Sequence, residues 1–543
     1  MATSTATVLE LTDFNKSGVL SNSRDIAGSS SDTPPDSSYG ETRSKQSETP
    51  LGESVVATAH GRYEMSRMRA SLVVTVLTGV SFLNTMGSGI LTVALPTIVA
   101  DVHLDENLTL WPASVYALAA GCTLLIFGAV GDVVGPKKVW LTGAILYSAF
   151  TLAVGLCQTA AQLIAFRTIL GLSIAMCLPT AVSLTANGFL PGRWRNMAFA
   201  CQGMGQPLGY SLGLILGGVF TDTIGWRWGF YISAIINFIL AICAFRVLPS
   251  PAHNTETALL HRLKHDIDWV GALTISLSFG LLSYVFSVIS RDYHDLTSAY
   301  NIVLFVLAVV LLPTFVFWAH RQESLGRPAL IPNSLWKNMA FTSICVAVFF
   351  TWAVFNSFQY FSALYFERVE HLSALDTSLR FLPMVFVGAA TNIVTGFLVE
   401  TVEVRYLVAY SAAITLVSSL LMSLVTPEWG YWKGAFIAML FSPLHPDVLF
   451  TVSNLIISKA YPGKSQSLAG AVFNAVSQVG NSIGLAVTAA ISSSVTQQQT
   501  NQDDNALLKG YHAAFWAMFA SAVLVVPITF FGLKRGGKVG ATD

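Results

Sequence analysis

Fourteen separate stretches of this chain are each about twenty apolar residues long, enough to carry a helix across roughly 30 Å of hydrocarbon. They run near 70–95, 110–130, 138–157, 162–187, 197–219, 229–247, 269–289, 299–319, 340–361, 378–399, 406–425, 434–457, 467–492 and 511–532. In a bilayer the backbone must bond to itself, which makes these stretches helices. Charged residues are only 11% of the chain, against about 25% in a soluble domain. The mean hydropathy is +0.59. The expected class is therefore an all-α, multi-pass membrane protein. Residues 1–65 are rich in Ser, Thr, Asp, Gly and Pro and cannot build a core, so they are read as a disordered tail without a cleaved signal.

The loops set the expected orientation. Lys137, Lys138, Arg193, Arg195, Arg262, Lys264, Arg321, Lys337, Lys459 and Lys464 fall on one side, whereas Arg227, Arg291, Arg368, Arg380, Lys433 and Lys509 fall on the other. The basic imbalance over all loops is roughly threefold and places both termini in the cytoplasm. On the outer side the one glycosylation sequon is Asn107-Leu108-Thr109, close to the mouth of the second span, where modification is hindered.

Several functions are excluded or disfavoured. Zero net charge argues against a nucleic-acid partner. Cys122, Cys157, Cys177, Cys201, Cys243 and Cys345 all lie in apolar segments and read as small hydrophobes rather than a metal site. The sequence has no G-x-x-x-x-G-K-[ST] loop, nucleophile elbow, zinc spacing or paired carboxylates. An enzyme is disfavoured and no cofactor is expected.

Within the fifth span, Gly205, Gly209, Gly213 and Gly217 recur every fourth residue and share one helix face. A face without side chains lets another helix approach closely. It serves either packing alone or a smooth surface on which two helical halves pivot.

Three segments carry a family resemblance. Gly128-Ala129-Val130-Gly131-Asp132-Val133-Val134-Gly135-Pro136-Lys137-Lys138 resembles the signature loop of the major facilitator superfamily, G-x-L-[AG]-D-[RK]-x-G-[RK]-[RK]. Val133 and Pro136 replace basic residues of that pattern. Arg167-Thr168-Ile169-Leu170-Gly171 resembles R-x-x-Q-G in the fourth span. The glycine helix is similar to the antiporter motif G-x-x-x-G-P-x-x-G-G through Gly213, Gly217 and Gly218, with Leu214 at the proline position and Pro207 two turns earlier. Trp226-Arg227-Trp228-Gly229 and Asp268-Trp269-Val270-Gly271 look like the fourteen-span drug:proton antiporters, and Pro446 to Asn454 resembles fungal members.

The resemblance implies two six-helix bundles (66–247 and 340–533) around a central cavity. A helix pair with its loops (248–339) is inserted between them, and short cytoplasmic tails flank the whole (1–65 and 534–543). It also implies a gating latch at Gly128, Gly131, Asp132, Gly135, Lys137 and Lys138, and an antiporter helix carried by Gly205, Pro207, Gly209, Gly213, Gly217 and Gly218. Glu400, Glu403 and Arg405 stand in the corresponding loop of the second half.

Charges inside spans are few, and their default reading is functional. Arg167 either influences proton movement, as the resemblance implies, or snorkels to the interface. Asp447 is either a proton-loading carboxylate or a structural partner for backbone freed by Pro443 and Pro446. His445 is read with it. Asn84, Gln202, Gln206, Asn356, Gln359, Asn392, Asn474, Gln478 and Asn481 supply a neutral polar lining. Trp352, Phe355, Phe358, Tyr360 and Phe361 form an aromatic stripe on the ninth span. Such walls suit moderately apolar small organic molecules.

The expected activity is proton-coupled export of small organic compounds, with the plasma membrane favoured over the vacuolar membrane and a monomer as the default. An importer of a small solute or ion on the same scaffold is the alternative, and a non-transporting sensor a third reading.

Overall fold

The computed structural model describes residues 66–104, 111–249, 259–289, 298–460, 465–499, 504–534 and 537. The expectations for the 1–65 tail, for Asn107 and for most of 534–543 lie outside the described residues. The helices are α1 (Arg67–Asp101), α2 (Trp111–Val134), α3 (Pro136–Leu156), α4 (Ala160–Gly188), α5 (Arg193–Asp222), α6 (Arg227–Val247), α7 (Leu259–His265), α8 (Trp269–Ile289), α9 (Ala299–Ser324), α10 (Met339–Leu364), α11 (Ala374–Arg380), α12 (Leu382–Leu398), α13 (Val404–Met422), α14 (Gly430–Lys433), α15 (Ala435–Phe441), α16 (Leu444–Ala460), α17 (Gln466–Gln497) and α18 (Asp504–Gly532).

Thirteen spans among the described residues are long and apolar enough to cross a membrane. Three are composite: α10 with a π turn (Met339–Val369), α11 with α12 (Leu375–Leu398), and α15 with α16 (Ala435–Ala460). The fourteenth stretch read from the sequence is α5. It is one continuous 30-residue helix running through Pro207, but it is not among the thirteen. Its glycines and Arg193, Arg195, Asn196, Gln202 and Gln206 dilute its apolar content.

Helix starts follow local chemistry. Thr159 caps α4 by accepting the Gln162 N–H at 3.3 Å, and the Asn338 side chain accepts from Ala340 and Phe341 at the start of α10. Between α2 and α3 the chain turns at Gly135 with φ 108°, a conformation open to glycine, and Pro136 opens α3 where no N–H is needed.

Helices α1–α6 share one core that includes Leu83, Ile90, Trp140, Leu163 and Phe230. Phe358, Phe361, Phe366, Met439 and Phe515 anchor a second core among α10–α18. A third joins the two groups of helices: Ala129, Val133, Val182 and Phe199 of the first group pack with Leu449, Leu468, Ala471 and Val472 of the second. These joining residues cluster toward the α2–α3 turn, so the groups are sealed to one another at that end. Helix α8 lies against both, with Gly280 over Cys122 of α2 and Ser482 of α17 bonded to Ser283 at 3.3 Å.

Buried Asp268 fixes this pair. It accepts from the Gly271 N–H (2.9 Å), Trp318 Nε1 (2.8 Å) and the Leu330 N–H (3.3 Å), which ties the start of α8 to α9 and to the segment after it.

At the opposite end, past the apolar part of α1, Asp101 Oδ2 accepts from Trp226 Nε1 (2.9 Å) and pairs with Arg227 Nη1 (2.6 Å). Arg227 Nη2 also donates to the Cys157 carbonyl at 3.2 Å, so α1, α3 and α6 meet here. The Trp226 and Arg227 bonds hold the Asp101 carboxyl below its ordinary range. A carboxyl depressed on folding contributes stability that is present at neutral pH and is lost as pH falls through the depressed value. Asp101→Asn is therefore expected to lower the melting temperature of the purified protein at pH 7, and the gap to wild type should close only below about pH 4. A gap that is the same at pH 7 and pH 3 would mean that the charge contributes nothing.

Of the two readings of the glycine stripe, the structure shows close packing of two helices within one group. Gly205 lies over Thr78, Gly209 over Phe82, Gly213 over Met86 and Gly217 over Ile90, all on α1. The seam therefore lies inside the first group of helices and is not the pivot between two halves. Periodicity identifies a bare face but not the helix that covers it. Gly218 is off the stripe, near Val93 and Leu375.

Candidate functional site

Asp132 ends α2 and reaches the first turn of α17. The backbone N–H groups of Ser467 and Leu468 donate to its Oδ1 and Oδ2 at 2.8 and 2.9 Å. A helix start presents unpaired N–H groups and partial positive charge. Ser465, the residue before α17, provides no side-chain cap, so Asp132 fills that role from 335 residues away. The approach requires small residues: a Cβ on Gly128 would stand 2.6 Å from Ala471 Cβ, and one on Gly131 would stand 3.1 Å from Ser467 Oγ.

The remainder of the signature loop acts locally. Lys137 Nζ donates to the Leu248 carbonyl at 2.7 Å and ties α3 to the end of α6, while Lys138 is exposed. Of the charged residues expected in the latch, Asp132 alone spans the two groups.

A second cross-contact mirrors it. Asn196 in the first turns of α5 donates from Nδ2 to Glu400 Oε1, just past α12, at 3.1 Å. Thus α2 meets the start of α17, and the end of α12 meets the start of α5. Glu403 instead pairs with Arg405 at 3.0 Å within its own loop. Asn196 carried no motif in the sequence, and only the repeat relation pointed toward Glu400.

Deeper in the bundle, the span of α15 and α16 is interrupted at Ser442 and Pro443. His445 and Asp447 follow the interruption, both buried, but they face different neighbours. Asp447 lies against α12: its Oδ2 would be 2.6 Å from a Cβ on Gly388, and Asn392 is adjacent. Gly203 of α5 lies over Asn392 and Phe450, so this carboxylate borders the contact between the two groups. Its Oδ2 meets no hydrogen-bond partner. His445 faces α13, with Nδ1 3.0 Å from Ser411 Oγ and its backbone N–H donating to Thr415 Oγ1 at 3.1 Å.

Arg167 is placed apart from both. It is buried among the first group, donates from Nε to the Pro112 carbonyl at 3.1 Å, and stacks over Tyr116 at 4.6 Å. Tyr116 donates in turn to Asn84 Oδ1. At 4% exposure Arg167 does not snorkel to an interface. The three residues expected on a proton path are not assembled into one cluster.

The neutral residues divide. Gln202 Nε2 bonds Thr185 Oγ1 at 2.7 Å in a buried contact between α4 and α5, which removes it from a cavity wall. Asn392 Nδ2 donates to the Gly388 carbonyl at 3.0 Å, and Asn474 Nδ2 to the Gly470 carbonyl at 2.8 Å. Asn481 Nδ2 donates to Gln478 Oε1 at 3.2 Å. Gln206, Asn356 and Gln359 are half-buried.

The aromatic stripe of α10 does not share one face. Phe358 and Phe361 pack on Phe515 of α18, Tyr360 is exposed, and Trp352 meets Phe473 of α17 edge-on at 5.3 Å. No group of three or more His, Cys, Asp or Glu suited to a metal occurs among the described residues.

The sequence profile described as Major Facilitator Superfamily matches residues 77–446. The chain is 61% identical to "MFS-type transporter 1" of Pyricularia oryzae, covering 96% of this chain and 93% of that protein. It is 26% identical to "Low affinity ammonium transporter" of Saccharomyces cerevisiae, covering 69% and 72%. Among solved structures it resembles the human organic anion transporter MFSD10 (TETRAN), with TM-score 0.61 and 15% identity, covering 86% of this chain and 99% of that one. By profile, by relative and by fold, the chain belongs to the major facilitator superfamily of multi-pass membrane transporters.

Proposed function

We propose that this protein is a proton-coupled exporter of small organic molecules, built from two six-helix bundles and the inserted pair α8 and α9, with α5 as the fourteenth span. Both termini are assigned to the cytoplasm, on the plasma membrane, and the working unit is a monomer. The observation that carries the proton assignment is Asp447. It is a buried carboxylate with an unpaired oxygen, it follows a broken helix, and it borders the contact between the two groups. Such a site couples a proton to rearrangement of the groups, because a carboxylate there is neutral or charged only at the expense of its surroundings. Arg167 and Asn84 form a separate polar chain through Tyr116 in the first group and are assigned to support of the transport path.

Asp447→Asn is expected to reduce proton-driven transport at least tenfold in proteoliposomes while leaving substrate exchange intact. Full pumping by this variant would remove the proton site. In cells, deletion should raise retention of the exported compounds, and a protonophore should do the same to wild type.

Import of a small solute or ion is the second reading. The similarity to a yeast ammonium transporter and Leu214 at the antiporter proline position favour it. Lower uptake in the deletion strain would select it.

A further inference from the structure

A small cavity lies inside the second group of helices, away from the contact between groups. It measures about 30 Å³ and is bounded by α10, α13, α16 and α18. Its walls are largely apolar, from Phe350, Phe355, Phe358 and Val525, but His445 and Thr351 also line it. His445 Nε2 and Thr351 Oγ1 are both buried, and neither meets a hydrogen-bond partner in the protein. Both residues are more than nine-tenths buried, His445 at 4% and Thr351 at 5% exposure.

The tautomer of His445 follows from its neighbours. Ser411 Oγ donates its one hydrogen to the Val408 carbonyl at 2.9 Å. It therefore accepts from His445 Nδ1, which carries the ring proton. In the neutral ring Nε2 is then a bare lone pair. A buried acceptor left unpaired is destabilising, and the same holds for a hydroxyl. What sets these two apart is that both stand on the wall of one cavity. The volume exceeds the 10–15 Å³ that one water needs. Ser418, Ser419 and Ser442 add hydroxyl oxygens to the lining.

We infer that this cavity is a hydration site in which one or two ordered waters donate to His445 Nε2 and accept from Thr351 Oγ1. The waters also abut Ser442 and Pro446, at the interruption between α15 and α16. They give the broken helix exchangeable hydrogen-bond partners, so it can re-bend without baring His445 to hydrocarbon. The site does not depend on Asp447 carrying the coupled proton, since that carboxylate faces α12.

The test is millisecond X-ray hydroxyl-radical footprinting of the full chain in nanodiscs, read by mass spectrometry. Radicals form on water, so residues beside a bound water are oxidised even when buried. Phe358 and His445 are expected to be oxidised at least tenfold faster than Phe230, which is as buried as Phe358 but lies in the first core, away from the cavity. Thr351→Val keeps the shape, removes the hydroxyl, and should cut that labelling at least fivefold. Ser419→Leu, which fills the cavity, should abolish it. Labelling at the Phe230 rate, or labelling indifferent to Thr351→Val, would overturn the assignment. Asp447→Asn should leave the footprint unchanged, so failure of the proton reading and failure of the hydration site give different results.

Discussion

Gly213→Leu should cost this protein its fold rather than stall its cycle. A Cβ at 213 falls on the backbone of Met86 in α1, with its Cα and carbonyl carbon at 2.9 Å and its carbonyl oxygen nearer still. Backbone atoms cannot rotate away as a side chain does, so the two helices would have to separate. Gly205, Gly209 and Gly217 hold the same line over Thr78, Phe82 and Ile90, and separation at one level strips contacts at all four. Gly89 of α1 packs reciprocally on Leu214. Overpacking a side-chain core costs about 1–3 kcal/mol, and a backbone-on-backbone clash should exceed it. The expected result is little monodisperse protein from gel filtration and a sharply lowered melting temperature.

Gly203→Leu provides the contrast. Its Cβ meets Asn392 and Phe450, across the contact between the two groups. That variant should remain folded and transport more slowly, because the obstruction lies where the groups meet. If Gly213→Leu purifies with unchanged stability and transports normally, the α1–α5 packing is wrong.

The two glycine positions show what was legible in the chain. A four-residue period states that one face of α5 is bare, and bilayer physics states that α5 is a helix. Neither names the helix opposite. Gly203 lies outside the period and gave no signal, yet it marks the contact between groups. The broken helix at Ser442 and Pro443 was readable because proline removes a donor. The divergence of His445 and Asp447 was not, because it depends on which helices flank α16. Arg167 was visible as a costly charge, but its partners are a carbonyl and a ring, which leave no mark in sequence spacing.

The largest expected change in transport away from the membrane interior belongs to Asp132→Asn. The carboxylate accepts two backbone N–H bonds at the start of α17, and the positive end of that helix strengthens both. An asparagine can offer one oxygen; its NH₂ must then face an N–H, so one bond is lost and the other loses its charge. Hydrogen bonds to charged groups are worth about 1.5–3 kcal/mol, and that loss shifts the balance between closed and open forms of this end by about 10- to 100-fold. Asp132 and Ser467 belong to different groups, so separation of the groups at this end would break the bond. The variant should therefore fold normally, favour the form open at the α2–α3 end, and transport at least tenfold more slowly. A cysteine placed at Ala471, opposite Gly128, in a background lacking the six native cysteines should react faster with a membrane-impermeant maleimide in Asp132→Asn than in the parent. Glu400→Gln keeps one oxygen that can accept from Asn196 and removes only the charge on that bond, so a smaller effect, of about two- to fivefold, is expected there. The two contacts close the same end at separate helix pairs, and their free energies should add in the double variant. Unchanged maleimide reactivity in Asp132→Asn would show that the carboxylate merely caps α17 and does not hold the groups together.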